Sequence, residues 1–160
     1  MNIIISPYST ELQERPNAKN YPYWRELTGL LRLDGHNVIQ IGLPNEKPIG
    51  ANGYLFSYKL FEVASVVRKF DIFMSVDNFL PHLMNVYHQD KKGIVLFSRS
   101  DPKIYGYEQN YNILKSRDYL RPDQYGLWKD CEFLAESWHT APEMMVIIND
   151  IIAKMFAKTA

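Results

Sequence analysis

Short apolar runs alternate along this chain with longer stretches whose apolar residues recur at helical spacing. Residues 2–6, centred on Ile3-Ile4-Ile5, read as a buried first strand that Pro7 stops. From Tyr23, the positions Trp24, Leu27, Leu30, Leu31 and Leu33 predict a helix, with Pro22 at its first turn and Asp34-Gly35 ending it. Residues 38–41 predict a second strand, closed by Gly42 and Pro44, so strand, helix and strand follow one another at βαβ spacing. Leu60, Val63, Ala64 and Val67 share one face of a helix expected over residues 56–70. A third strand follows at 71–76, a helix at 81–87, a fourth strand at 94–97 and a short strand at 112–114. The last helix is expected over 142–157, with Met145, Ile148, Ile151, Ile152 and Met155 as its apolar stripe, Thr140 as its cap and Glu143 in its first turn.

The polar, Pro- and Gly-bearing stretches 8–22, 46–53, 98–109 and 117–128 read as loops or irregular segments. Strands alternating with helices imply a parallel sheet covered on both faces. The expectation is an α/β protein: one Rossmann-like three-layer domain over residues 1–160, without repeat, low-complexity tract or linker.

Composition narrows the function. Among 160 residues, 18 Lys and Arg balance 18 Asp and Glu, which gives no electrostatic footprint for duplex nucleic acid or an acidic membrane. Cys131 is the single cysteine, so an intramolecular disulfide and a zinc site of several thiolates are excluded. His36, His88 and His139 are dispersed, without metal-ligand spacing. No apolar run reaches the roughly 18 residues of a membrane span, and the N-terminal stretch reads as a strand rather than a leader, so the expectation is a soluble, cytoplasmic protein.

The turn from the third strand into its helix is the first place to look for chemistry. Ser75-Val76-Asp77-Asn78-Phe79-Leu80-Pro81-His82 carries a buried strand into a helix N-terminus. There, free N–H groups and the positive end of the helix dipole face the crevice in which α/β proteins hold phosphates and sugars. Asp77 is either a ligand contact or the cap of the helix, and His82 either meets ligand or bonds to nearby backbone. Lys19 and Glu46 are each a ligand contact or a solvated charge. Arg99 adds a cation in the loop after the fourth strand, and Tyr105, Tyr107 and Tyr111 either stack on a base or sugar or pack under the last helix.

In order, these loops resemble the carboxyl-terminal, donor-binding half of the heptosyltransferase-like glycosyltransferases, family 9 of the two-domain GT-B fold. Lys19-Asn20-Tyr21-Pro22-Tyr23-Trp24 resembles that family's Lys-x-Trp-Pro-x-x-x-Trp segment, with Trp24 displaced. Gly42 and Glu46 match Gly-x-x-x-Glu, while Ser75, Asp77 and His82 match Ser-x-Asp-Thr-Gly-x-x-His. Ser98-Arg99-Ser100-Asp101-Pro102 resembles Gly-x-Thr-x-Pro, and Pro142-Glu143-Met144 with Ile147 and Ile148 resembles the closing helix. The resemblance implies a metal-independent nucleotide-sugar site without a separate cofactor. It implies that Lys19 neutralises the diphosphate and Glu46 meets the nucleoside. Ser75, Asp77, Asn78, Phe79 and His82 would hold sugar and diphosphate, with Ser98 and Arg99 beside them.

Asn78-Phe79 stands where the family has Thr-Gly, and Ser98 where it has Gly. Phe79 therefore crowds the approach of a phosphate to the backbone. Because the resemblance covers the donor half alone, it implies that the acceptor wall comes from a partner subunit or a second copy of the chain. Three readings follow: a glycosyltransferase donor domain, a non-catalytic module that sequesters or senses a nucleotide or nucleotide-sugar, and a scaffold with an emptied pocket.

Overall fold

The computed structural model describes residues 1–10, 15–56 and 59–157. Six strands form one parallel sheet: β1 (Asn2–Ser6), β2 (Asn37–Gly42), β3 (Gly53–Phe56), β4 (Ile72–Val76), β5 (Gly93–Phe97) and β6 (Tyr111–Leu114). Their order across the sheet is β3-β2-β1-β4-β5-β6, the doubly wound Rossmann arrangement. The helices are α1 (Trp24–Leu33), α2 (Leu60–Val67), α3 (Phe79–Tyr87), α4 (Pro102–Tyr105) and α5 (Ala141–Ala157).

Alternation along the central strands divides the core into two layers. Ile3, Ile5, Val38, Ile72, Met74 and Leu96 face α1 and α5, where Trp24, Leu27, Leu31, Met144 and Ile148 meet them. Ile4, Ile41, Phe73, Val95 and Phe97 face α2 and α3, against Val63, Val67, Leu80 and Met84. Both β4 and β5 are buried along their whole length, which is why they read as unbroken apolar runs rather than alternating ones.

The structure departs from the sequence pattern in three places. β3 occupies residues 53–56, where the pattern ended a loop and began a helix; α2 starts only at Leu60, and residues 57 and 58 of the expected helix lie outside the described residues. The loop expected over 98–109 contains α4, one turn capped by Asp101, whose carboxylate accepts from Lys103 N at 2.9 Å. α3 begins at Phe79, with Pro81 at its third residue, and its cap is Asn78. The loop expected over 8–22 includes residues 11–14, also outside the described residues.

Crossovers run outward from β1 in one direction and from β4 in the other, so these neighbours open a crevice at their carboxyl ends. That crevice is where Asp77 and Asn78 emerge.

Candidate functional site

Asn78 fixes the crevice. Its Oδ1 accepts from Leu80 N at 2.9 Å, capping α3, while its Nδ2 donates to Ser6 O, Ser6 Oγ and Tyr8 O at 3.0–3.1 Å. One side chain thus ties the start of α3 to the end of β1, 72 residues away in sequence. A helix start leaves its first N–H groups without intrahelical partners. Leu80 N is taken by the cap and Pro81 has no N–H, so the remaining N–H groups at this helix start are those of Asn78 and Phe79.

With Asn78 as cap, Asp77 is released from that role. It is 3% exposed, and a buried carboxylate requires compensating partners. Lys19 Nζ stands 2.9 Å from Asp77 Oδ2, and His82 Nε2 stands 3.8 Å from Oδ1. The opposite ring nitrogen of His82 hydrogen-bonds the Tyr107 hydroxyl at 2.8 Å, with the two rings edge to face. His82 is therefore held by side chains rather than by nearby backbone, and its side chain remains 46% exposed. Tyr107 alone of its cluster reaches this site: Tyr111 packs against the α1/α5 layer, and the Tyr105 hydroxyl donates to Gln124 O.

Lys19 is placed by its own loop. Asn17 Oδ1 accepts from Lys19 N, and Asn17 Nδ2 donates to Thr10 O. The Lys19 ammonium lies 4.6 Å from the centre of the Trp128 ring, and the Arg121 guanidinium lies 3.6 Å from the same ring, both at cation–π distance. Trp128 and Arg121 belong to a segment read as irregular from the sequence, where only its aromatic and basic content could have drawn attention to it.

Glu46 lines a cavity that Asn78 also borders. Gly42 ends β2 so closely beneath Glu46 that a Cβ at Gly42 would fall 1.9 Å from Glu46 Oε2. The fully buried Gln40 fastens this loop, accepting from Ile49 N and donating to Lys47 O. Glu46, Gly42, Asn78, Phe79 and Tyr8 help line a cavity of about 490 Å³, floored by Ile41 and Val63. That volume suits a nucleoside. Phe79, 40% exposed, stands in its wall.

The remaining candidates, Ser75, Ser98 and Arg99, lie in or beside the core. Ser75 is fully buried within β4, and its hydroxyl has no hydrogen-bond partner among the described residues. Ser98 is also buried; its Oγ pairs with Ser137 Oγ at 2.8 Å and reaches Ala18 O at 3.4 Å, stitching the end of β5 to the Lys19 loop. Arg99 is partly buried and its carbonyl accepts from Arg121 N and Gln124 Nε2. The structure thus gathers Lys19, Asp77 and His82 into one cluster. Glu46 and Phe79 lie at an adjoining cavity, Arg99 at β5, and Ser75 and Ser98 in the core. Among the described residues no group of three His, Cys, Asp or Glu side chains could hold a metal, and no helix is long and apolar enough to cross a membrane.

Strand order and crevice together define a Rossmann-like α/β domain of the kind found in GT-B glycosyltransferases. Comparison with protein-family models and with curated proteins finds no match. Solved heptosyltransferases do match in fold. E. coli heptosyltransferase WaaC with ADP shares 22% identity at a TM-score of 0.65, over 92% of this chain and 43% of that one. The iron-containing dodecameric glycosyltransferase TibC of enterotoxigenic E. coli shares 18% at 0.69, over 97% and 47%. E. coli ADP-heptose LPS heptosyltransferase II shares 16% at 0.68, over 96% and 47%. The chain spans less than half the length of each, and what it shares with them is the fold.

Proposed function

We propose that this chain is a nucleotide-sugar donor domain of glycosyltransferase type. The observation that carries the proposal is the Lys19–Asp77–His82 cluster at the crevice between β1 and β4, beside a nucleoside-sized cavity that holds a carboxylate. The base and ribose occupy the cavity, with Glu46 accepting from ribose hydroxyls. The diphosphate lies at the start of α3, where the N–H groups of Asn78 and Phe79 and the helix dipole favour negative charge. An ammonium has three donors, so Lys19 can pair with Asp77 and still donate to a phosphate oxygen. Asp77 holds Lys19 and His82 in position, and the two together stabilise the nucleoside diphosphate as it departs. Two of the matched heptosyltransferase structures are described with ADP or an ADP-heptose analogue, which supports a ligand of this class. Transfer of the sugar would use an acceptor wall from a partner subunit or a second copy.

A second reading rests on Phe79 and the cap. With one N–H taken by Asn78, another absent at Pro81, and a phenyl ring in the cavity wall, the start of α3 suits holding a nucleotide better than catalysing its departure. This is the non-catalytic binding module.

Calorimetric titration with a panel of nucleoside diphosphates and their sugar conjugates tests both readings. Binding by at least one is expected, with Lys19→Ala and His82→Ala each lowering affinity by about tenfold or more, the worth of a charge-assisted hydrogen bond. No binding by any of them, or unchanged affinity in both variants, would refute the site. Release of free nucleoside diphosphate from the conjugate that binds, measured with candidate acceptors present, separates transferase from binder.

A further inference from the structure

Beyond the diphosphate cluster, at the carboxyl end of β5, two arginines have no carboxylate partner among the described residues. Arg121 is only 7% exposed, and among the described residues no carboxylate pairs with it. Its Nε is buried without a partner, one terminal nitrogen donates to Gln124 O, and its guanidinium lies against Trp128. The Nε of Arg99 is likewise buried without a partner, and no described carboxylate pairs with Arg99 either. Asp101, two residues from Arg99 in the chain, is held by Arg117 through two bonds of 3.0 and 2.6 Å.

A buried guanidinium without a counter-ion is costly, and an anion beside it would offset that cost. Arg121 is tied to Arg99 by a backbone hydrogen bond, Arg121 N to Arg99 O at 3.0 Å. It is tied to Lys19 by the shared Trp128 ring. The cavity at β2, the cluster at β1 and β4, and these arginines at β5 therefore follow one another along a single sheet edge. A nucleotide-sugar laid along it, nucleoside in the cavity and diphosphate at Lys19, brings its sugar to the arginines.

Resting on the donor-site reading, we infer that Arg99 and Arg121 form a second anion subsite that selects a sugar bearing an acidic group, a carboxylate or a phosphate. A planar guanidinium fork suits either oxyanion. Asp101 contributes here by occupying Arg117, which leaves Arg99 and Arg121 for the ligand.

The test uses probes without a base, so that the identity of the nucleoside does not enter. Inorganic diphosphate, glucose 1-phosphate, glucuronic acid 1-phosphate and glucose 1,6-bisphosphate are titrated by NMR shift perturbation. Glucuronic acid 1-phosphate or glucose 1,6-bisphosphate is expected to bind on the order of tenfold more tightly than glucose 1-phosphate, and which of the two is preferred tells carboxylate from phosphate. Arg121→Gln and Arg99→Gln should each erase that preference, Arg99→Gln with diphosphate affinity kept, whereas Lys19→Ala should lose diphosphate. Arg99 is partly exposed, so its variant reports even if Arg121→Gln fails to fold. Lys19-dependent diphosphate binding without preference for either acidic sugar would overturn the subsite alone. Absence of diphosphate binding together with equal response to all the sugar phosphates would overturn the donor-site reading and the subsite with it.

Discussion

At Gly42, a Cβ would stand 1.9 Å from one carboxylate oxygen of Glu46 and 3.1 Å from the other. The obstacle is the far end of a flexible side chain, so Gly42→Ala should fold with little loss of stability while Glu46 is pushed off the end of β2. If Glu46 accepts from the ribose, nucleotide affinity falls by about tenfold with the melting temperature nearly unchanged; calorimetry beside a thermal melt checks both, and undiminished affinity would remove Glu46 from the site. Asn78 has the opposite profile, because its two side-chain functions point in different directions. Asn78→Asp keeps an acceptor for Leu80 N but sets a carboxylate oxygen against the carbonyls of Ser6 and Tyr8. Asn78→Ala loses the cap and every one of those bonds, at a cost of about 2–3 kcal/mol. Both variants should lower the denaturation midpoint in urea, and an Asn78→Ala protein as stable as the parent would show that the tie between β1 and α3 contributes nothing.

Elements succeed or fail in the sequence according to how completely they are buried. β1, β4 and β5 are covered on both faces, and their apolar runs announce them. β3 is an edge strand with no fully buried residue and an exposed Tyr54, and its Leu55 and Phe56 blend into the helical spacing that follows. α4 is a single turn, too short for any period to show. The start of α3 was legible from Pro81 but misplaced by two residues, because Asn78 and Asp77 are equally good caps in sequence and only the reach to Ser6 and Tyr8 chooses between them. Register supplies a further test at this scale. Gly93 pairs with Phe73 across β4 and β5, and a Cβ there would lie 2.1 Å from the Phe73 ring, which is fully buried and has nowhere to go. Gly93→Ala should cost about 1–3 kcal/mol, read as a lower urea midpoint, and Phe73→Leu in the same chain should recover part of it. Equal stability of Gly93→Ala and the parent would contradict this packing.

Across the whole molecule, the loops that carry the candidate site were readable in order because a doubly wound sheet delivers successive loops to one edge. What sequence could not supply was Arg121 and Trp128, or the pairing of Tyr107 with His82, because these come from segments without periodicity and meet Lys19 and His82 only through the fold. The same long-range assembly sets how the protein responds to acid. Burial lowers His36 and His139 below the ordinary imidazole value of 6.5, against opposing pulls from Asp34 and Glu143. Asp101 is lowered from 3.8, first by its hydrogen bonds from Arg117, and Glu143 from 4.5, first by the Thr140 N–H. In all four cases the folded state binds protons less readily than the unfolded chain, so stability falls as pH falls. Loss should begin below pH 6.5 as the unfolded histidines charge and the folded ones resist. It should deepen below pH 4.5 as the carboxylates of the unfolded chain take up protons first. At the alkaline end, burial raises Tyr21 above its ordinary 10.0, so stability should fall again above that pH as the unfolded phenol ionises. Urea midpoints measured across this range should therefore show a plateau near neutrality with an acid limb in two stages. Replacing His36 and His139 by Gln should flatten the first stage, and Arg117→Ala should weaken the second. An acid limb identical in the double histidine variant and the parent would mean that some other group carries the first stage.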